Sequence, residues 1–139
     1  EIRSYTSPAE IEAILHTAPQ NLSLDEFYIL AQTYVPGSEE FNELFETAVR
    51  MYPNDPVANL NAANSAILRK DYRNALKYLA KAESLPESVY ARGVLEVYME
   101  DIDAAKPYLQ HASKLGIPQA DVVLKEISIN RNFYKKGNK

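Results

Sequence analysis

Residues 63–82 read ANSAILRKDYRNALKYLAKA and residues 93–112 read GVLEVYMEDIDAAKPYLQHA. Slid thirty residues along the chain, the first stretch places Ala63 on Gly93, Asp71 on Asp101, Ala75 on Ala105, Leu79 on Leu109 and Ala82 on Ala112. Each stretch has a small residue, an Asp at a turn, and then alanines seven apart on one helical face. That pattern predicts two antiparallel helices packed closely, and it occurs twice. Self-similarity at such a period marks an array of hairpins in which each unit needs a neighbour to bury its apolar face.

Outward from this pair the chain reads as helix throughout, about eight in all, with no alternating strand pattern of useful length. Ser7-Pro8-Ala9-Glu10 is a start signal: Ser7 caps, Pro8 takes the first turn and Glu10 closes a capping box. Ile11, Ile14 and Leu15 share a face of that short helix, which Pro19 bounds. Ser23-Leu24-Asp25-Glu26 repeats the signal and opens a helix with a Phe27, Leu30, Ala31 and Tyr34 stripe. Pro36-Gly37 breaks it, Ser38 caps the next (Phe41, Leu44, Phe45, Ala48, Val49), and Asp55-Pro56 opens a long helix with Leu60, Ala63, Ala66 and Ile67. After the Asp71 turn, Tyr72, Ala75, Leu76, Leu79 and Ala82 are expected to be buried. Pro86 begins a helix with a Val89, Gly93 and Val97 stripe, and Asp101 or Asp103 caps its partner. Pro107 is tolerable there only if it falls within about the first turn. Gly116 and Pro118 close that helix, and a last one over about 118–130 carries Ala120, Val123, Leu124 and Ile127.

The 63–82 and 93–112 hairpins resemble the tetratricopeptide repeat, in which small residues recur at the eighth, twentieth and twenty-seventh places of a 34-residue unit. Ala63, Ala75 and Ala82 take those places from Pro56, and Gly93, Ala105 and Ala112 take them from Pro86. An earlier, degenerate unit has Phe41 where a small residue is expected. The resemblance implies a right-handed stack of antiparallel hairpins, a tetratricopeptide-like α-solenoid. It divides the chain into a capping helix (1–22), a degenerate hairpin (23–53), two regular hairpins (54–85 and 86–116), a closing helix (117–131) and a flexible basic tail (132–139). The 30-residue step between the two regular units departs from the family's 34. Residues 32–43 and 54–61 also resemble the C-terminal repeat segment of bacterial cell-envelope proteins, where it follows a peptidoglycan-binding, OmpA-like domain. That resemblance implies an excised segment from the periplasmic side of a bacterial envelope, and a chain that opens on Glu1 is expected to be such a mature or excised piece.

Composition narrows the function classes. With 15 basic and 19 acidic residues the net charge is −4, the opposite of a nucleic-acid-binding face. No run approaches the roughly 20 apolar residues of a membrane span. Cysteine is absent, which removes disulfides, thiolate metal sites and cysteine nucleophiles. Of the four glycines, Gly37, Gly93, Gly116 and Gly137, no two are close enough for a nucleophile elbow or a phosphate-cradling loop. His16 and His111 have no partner at metal-ligand spacing. His16 reads as a helix-end cation and His111 as a solvated flank of Ala112. Glu100, Asp101 and Asp103 fail the calcium-loop pattern, whose sixth and twelfth places hold Lys106 and Ala112. They read as favourable charges at a helix N-terminus. Asn21-Leu22-Ser23 matches a glycosylation acceptor, a pattern frequent by chance. No enzyme, cofactor or metal is expected.

The tetratricopeptide resemblance also implies where a partner would sit. First helices line the concave side, which points Tyr28, Gln32 and Val35, then Leu60, Asn61, Asn64 and Ile67, then Tyr90, Val94, Val97 and Tyr98 into a groove. Aromatic rings and amides among aliphatics suit an extended peptide. For Tyr28, Tyr90 and the aliphatics, plain packing between helices stands as an equal reading. Asn61 and Asn64 are expected to face the groove or bond a neighbouring helix. The family's carboxylate clamp is not expected: its places hold Tyr28, Gln32, Asn61, Glu87 and Ala91, and only Asn61 fits. The expectation is a non-catalytic protein-interaction or scaffold module for a peptide or protein partner, with no nucleic acid and no membrane insertion. The alternative is a structural spacer or dimerisation segment of a larger envelope protein.

Overall fold

The structure is a computed structural model that describes residues 7–137, with side chains placed for 7–130. It is all-α: α1 (Pro8–Thr17), a 3₁₀ turn (Pro19–Asn21), α2 (Leu24–Ala31), α3 (Glu39–Met51), α4 (Pro56–Leu68), α5 (Tyr72–Ala80), α6 (Pro86–Tyr98), α7 (Ile102–Lys114) and α8 (Pro118–Gly137). Among the described residues there is no strand, and no helix is long and apolar enough to cross a membrane. The chain divides into two compact units, residues 1–82 and 83–139. The backbone of α8 runs to Gly137, past the expected end near residue 130. Residues 138–139 of the expected basic tail lie outside the described residues.

Local signals set most helix starts. Ser23 accepts from the Glu26 amide while the Glu26 carboxylate takes the Ser23 amide, a complete capping box. Ser38, Asp55, Asp71 and Asp101 each accept from the amide three residues on. Ser7 is the exception. Its side chain makes no cap bond, so the expected box there is not formed and α1 starts on Pro8 alone, whose fixed φ suits the first helical position.

The thirty-residue repeat reappears in the turns. After α4, Asp71 N–H donates to Ala66 O at 2.8 Å and Lys70 N–H to Ile67 O at 3.0 Å. After α6, Asp101 N–H donates to Glu96 O and Glu100 N–H to Val97 O, both at 2.9 Å. Both are Schellman closures, with Lys70 (φ 64°) and Glu100 (φ 63°) in the left-handed position usually given to glycine. After α7 the same closure uses Gly116 (φ 91°).

In the first unit, sequential helices pack on one another from α1 to α5 around Ile11, Leu22, Phe27, Leu30, Leu44, Phe45, Ala48, Ala58 and Ala62. Tyr52 at the end of α3 donates to Leu22 O and lies edge-on to Phe27, 6.3 Å away. Ser65, late in α4, reaches Asn42, early in α3, so these two helices are antiparallel. Tyr28 of α2 reaches Asp55 at the start of α4, and Gly37, after α2, lies against Leu68 at the end of α4. Therefore α2 and α4 run in the same direction with α3 between them in sequence. Where a small residue was expected, Phe41 is buried, its ring tilted at 49° against Phe45 with centroids 4.8 Å apart. Ala63, Ala75 and Ala82 are each 0% exposed. Leu76, expected to be buried, is 37% exposed, because α5 buries only its Ala75–Leu79 edge.

In the second unit, α6 packs on α7 and α7 on α8. Gly93, Ala105 and Ala112 are buried, as the alignment requires. The contact that needs glycine is with Leu109 rather than with Ala105: a Cβ on Gly93 would lie 2.7 Å from Leu109 Cδ2 and 2.8 Å from Cγ. The buried residues of α6 are Ser88, Ala91, Gly93, Leu95 and Glu96, whereas Val89 and Val97, placed in the expected stripe, are half-buried. Pro107 falls in the second turn of α7, later than expected. It is exposed there, and its ring supplies no N–H to the turn before it.

Candidate functional site

Of the groove residues expected in the first unit, Tyr28 is half-buried. Its ring stacks on Phe45 and its hydroxyl donates to Asp55 Oδ2 at 3.0 Å. Burial and then the Asp55 bond push its phenol far above the ordinary value of 10, so it stays protonated throughout neutral and mildly alkaline pH. This ring is structural. Gln32 and Asn64 are exposed and Leu60 is half-buried. Asn61 donates to Val57 O of its own helix at 3.0 Å and not to a neighbouring helix. Ile67, 2% exposed, belongs to the interior rather than to a groove, and Val35, 72% exposed, follows the end of α2. The buried asparagine is Asn59, which sequence reasoning passed over. Its amide donates to Pro53 O (3.1 Å) and Asp55 O (2.9 Å), tying the α3–α4 loop to α4. Asn21 of the glycosylation triplet is exposed, but Ser23 in the same triplet is engaged in its capping box.

In the second unit, Tyr90 is half-buried against Ala105, Leu109 and Ile127, Val94 is half-buried, and Tyr98 is 40% exposed. Burial, and after it the charge of Glu126, raises the Tyr90 phenol. On the same helix Arg92 lies over the Tyr108 ring (5.1 Å) and 3.7 Å from Glu96, which pins α6 to α7.

The feature of this unit that sequence reasoning did not assemble is a half-open cleft of about 610 Å³. Its apolar floor is Val97 from α6, Ile102 from α7, and Val123 and Ile127 from α8. Its rim holds Glu100, Asp101 and Asp103 from the α6–α7 corner, Glu126 from α8 and Asn130. The Schellman closure with Glu100 at positive φ sets the corner, and the Asp101 cap on Ala104 N–H (3.1 Å) holds the first turn of α7 against it. The four acidic residues are exposed and the four apolar ones are half-buried or buried. Among the described residues that line it, none is a lysine or arginine. The acids read in sequence as charges favouring a helix start therefore also edge an apolar depression. The available signal was the i, i+3, i+4, i+7 spacing of Val123, Glu126, Ile127 and Asn130 on α8, which puts one acid and two aliphatics on one face.

Among the described residues, no group of three or more His, Asp or Glu side chains is placed to hold a metal ion. No protein-family model, no curated protein and no solved structure matches the chain.

Proposed function

We propose that this chain is a non-catalytic interaction module of the tetratricopeptide-repeat type, which holds a peptide or another protein on the first helices of its hairpins. The observation that carries this reading is the repeated hairpin turn. Two turns thirty residues apart share their hydrogen bonds, their left-handed residue and their Asp cap, and the small residues aligned with them are buried. Such repetition builds a scaffold whose side chains vary while its backbone does not. Packing takes up Tyr28, Asn61 and Ile67, and leaves Gln32 and Asn64 in the first unit, and Tyr98 with the cleft in the second, facing solvent.

A photo-crosslinking amino acid placed singly at Gln32, Asn64 or Tyr98, in cells that make the chain naturally, tests the reading. Positions Arg73, Lys77 and Gln110, exposed on second helices, are the comparison set. First-helix positions should give discrete protein adducts that the comparison set lacks. No adducts anywhere, or equal yields from both sets, would refute the module.

A further inference from the structure

We infer that the cleft between the α6–α7 corner and α8 takes a cationic amphipathic peptide segment, with aliphatic side chains on the floor and lysines or arginines against the rim. This deepens the interaction-module reading and rests on it. The argument is complementarity. The cleft volume of about 610 Å³ lies in the range of ligand sites. Val97, Ile102, Val123 and Ile127 offer an apolar base that water covers poorly, while among the described lining residues every formal charge is negative. An anionic segment would bring like charges to the rim, and a purely polar one would leave the floor wet. A segment with both characters satisfies both. The rim carboxylates are exposed, so each pair with a lysine is weak and salt-sensitive. The floor must therefore supply much of the affinity, and the rim selectivity and speed of encounter.

The test uses the full chain and three labelled hexapeptides: Lys-Lys-Leu-Leu-Lys-Lys, Lys-Lys-Ser-Ser-Lys-Lys and Glu-Glu-Leu-Leu-Glu-Glu. Binding is read by fluorescence anisotropy, and amide shifts in ¹H–¹⁵N spectra locate it. The lysine–leucine peptide should saturate, shift amides around residues 97–103 and 123–130, and weaken at raised salt. The serine peptide should bind at least tenfold more weakly, and the Glu100→Gln/Glu126→Gln variant should bind the lysine–leucine peptide more weakly by about threefold or more. The glutamate peptide should not bind. Asp101 is left intact because it caps α7. Equal binding of the serine or glutamate peptide, an unaffected double variant, or shifts elsewhere would overturn the assignment. So would a concentration-dependent dimer in light scattering that the double variant abolishes, since a second copy would then fill the cleft. Peptide failure alongside adducts from Gln32 or Asn64 would remove this occupant and leave the module standing.

Discussion

Adding one methyl group at Gly93 sets two opposing effects against each other. Glycine in a helix interior is worse than alanine by about 1 kcal/mol, so Gly93→Ala should stabilise α6 if only the backbone mattered. The new Cβ, however, would sit 2.7 Å from Leu109 Cδ2, 2.8 Å from Leu109 Cγ and 3.3 Å from Tyr108 Cβ. Relief would need the branch point of Leu109 to move, and Leu109 is 0% exposed, with no open side to move toward. Overpacking of this kind costs about 1–3 kcal/mol. The clash wins, and the expected net loss is about 1 kcal/mol, or about 3 °C in melting temperature for a chain of this length. Leu109→Ala alone should cost about 2–5 kcal/mol through the cavity it leaves. In the double variant the added methyl no longer meets leucine, so the two losses should fall short of their sum by about 1 kcal/mol or more. Urea melts followed by circular dichroism on the four proteins give the cycle. A more stable Gly93→Ala, or losses that add within about 0.5 kcal/mol, would refute close packing of α6 on α7.

Two further outcomes follow from the same structure. Lys70 and Glu100 hold left-handed backbone that costs a side-chain-bearing residue about 1–2 kcal/mol. Lys70→Gly and Glu100→Gly should therefore each stabilise by about 0.5–1 kcal/mol after glycine's unfolded-state entropy is subtracted. Lys70→Ala should not stabilise, and a destabilised Lys70→Gly would contradict the turn geometry. Tyr28, whose phenol is raised by burial and by Asp55, ionises in the unfolded chain near its ordinary value of 10 but at a higher pH in the fold. The stabilisation is thus complete below pH 10 and is lost as pH rises above it, because only the unfolded chain gives up the proton. Tyr28→Phe should cost about 1 kcal/mol at neutral pH and flatten the decline between pH 9 and pH 11. An equally steep decline in the variant would assign it to other groups.

What was legible in the sequence is what a few consecutive residues decide. The caps expected at Ser23, Ser38 and Asp55 each need only a side chain and an amide three positions on, and all form. Of the two acids offered for α7 it is Asp101 that caps, and Asp71, read only as a turn residue, caps α5. Ser7 misled because Pro8 starts a helix without a cap. The small residues at 63, 75, 93 and 105 declared close packing, but not with which atom. Leu109, one turn beyond Ala105, is the contact that excludes a side chain at 93, and a one-turn offset depends on how far the helices slide. Leu95 and Ala91 were missed because a stripe drawn through Gly93 at four-residue steps runs along the edge of the buried face, where Val89 and Val97 are half-buried. Long-range polar pairings were not legible at all. Nothing local tells that the Tyr28 hydroxyl finds Asp55, 27 residues on. Asn59 bonds carbonyls only four and six residues back, but its burial is set by the packing around it.

The cleft shows why the remainder lay beyond a repeat alignment. The turns at 70–71 and 100–101 share hydrogen bonds and φ values, so as backbone they are the same object. Their charges differ: Lys70-Asp71 sums to zero, whereas Glu100-Asp101, followed by Asp103, is triply negative. Alignment sees Asp71 on Asp101 and treats the preceding residue as free to vary, because any side chain at that place points away from the packing. That freedom allows function to differ between turns the fold holds alike. Only when α8 brings Val123, Glu126 and Ile127 to the second corner does the local excess of acid acquire an apolar floor. If the proposed occupant is right, Glu100→Lys, which copies the Lys70 charge onto the second turn and reverses one rim charge, should weaken the lysine–leucine peptide. The parallel change Lys70→Glu, in the other unit and not among the lining residues, should leave its binding unchanged. A Lys70→Glu variant that strengthens binding as much as Glu100→Lys weakens it would show that net charge alone governs attraction, and that the cleft has no part in it.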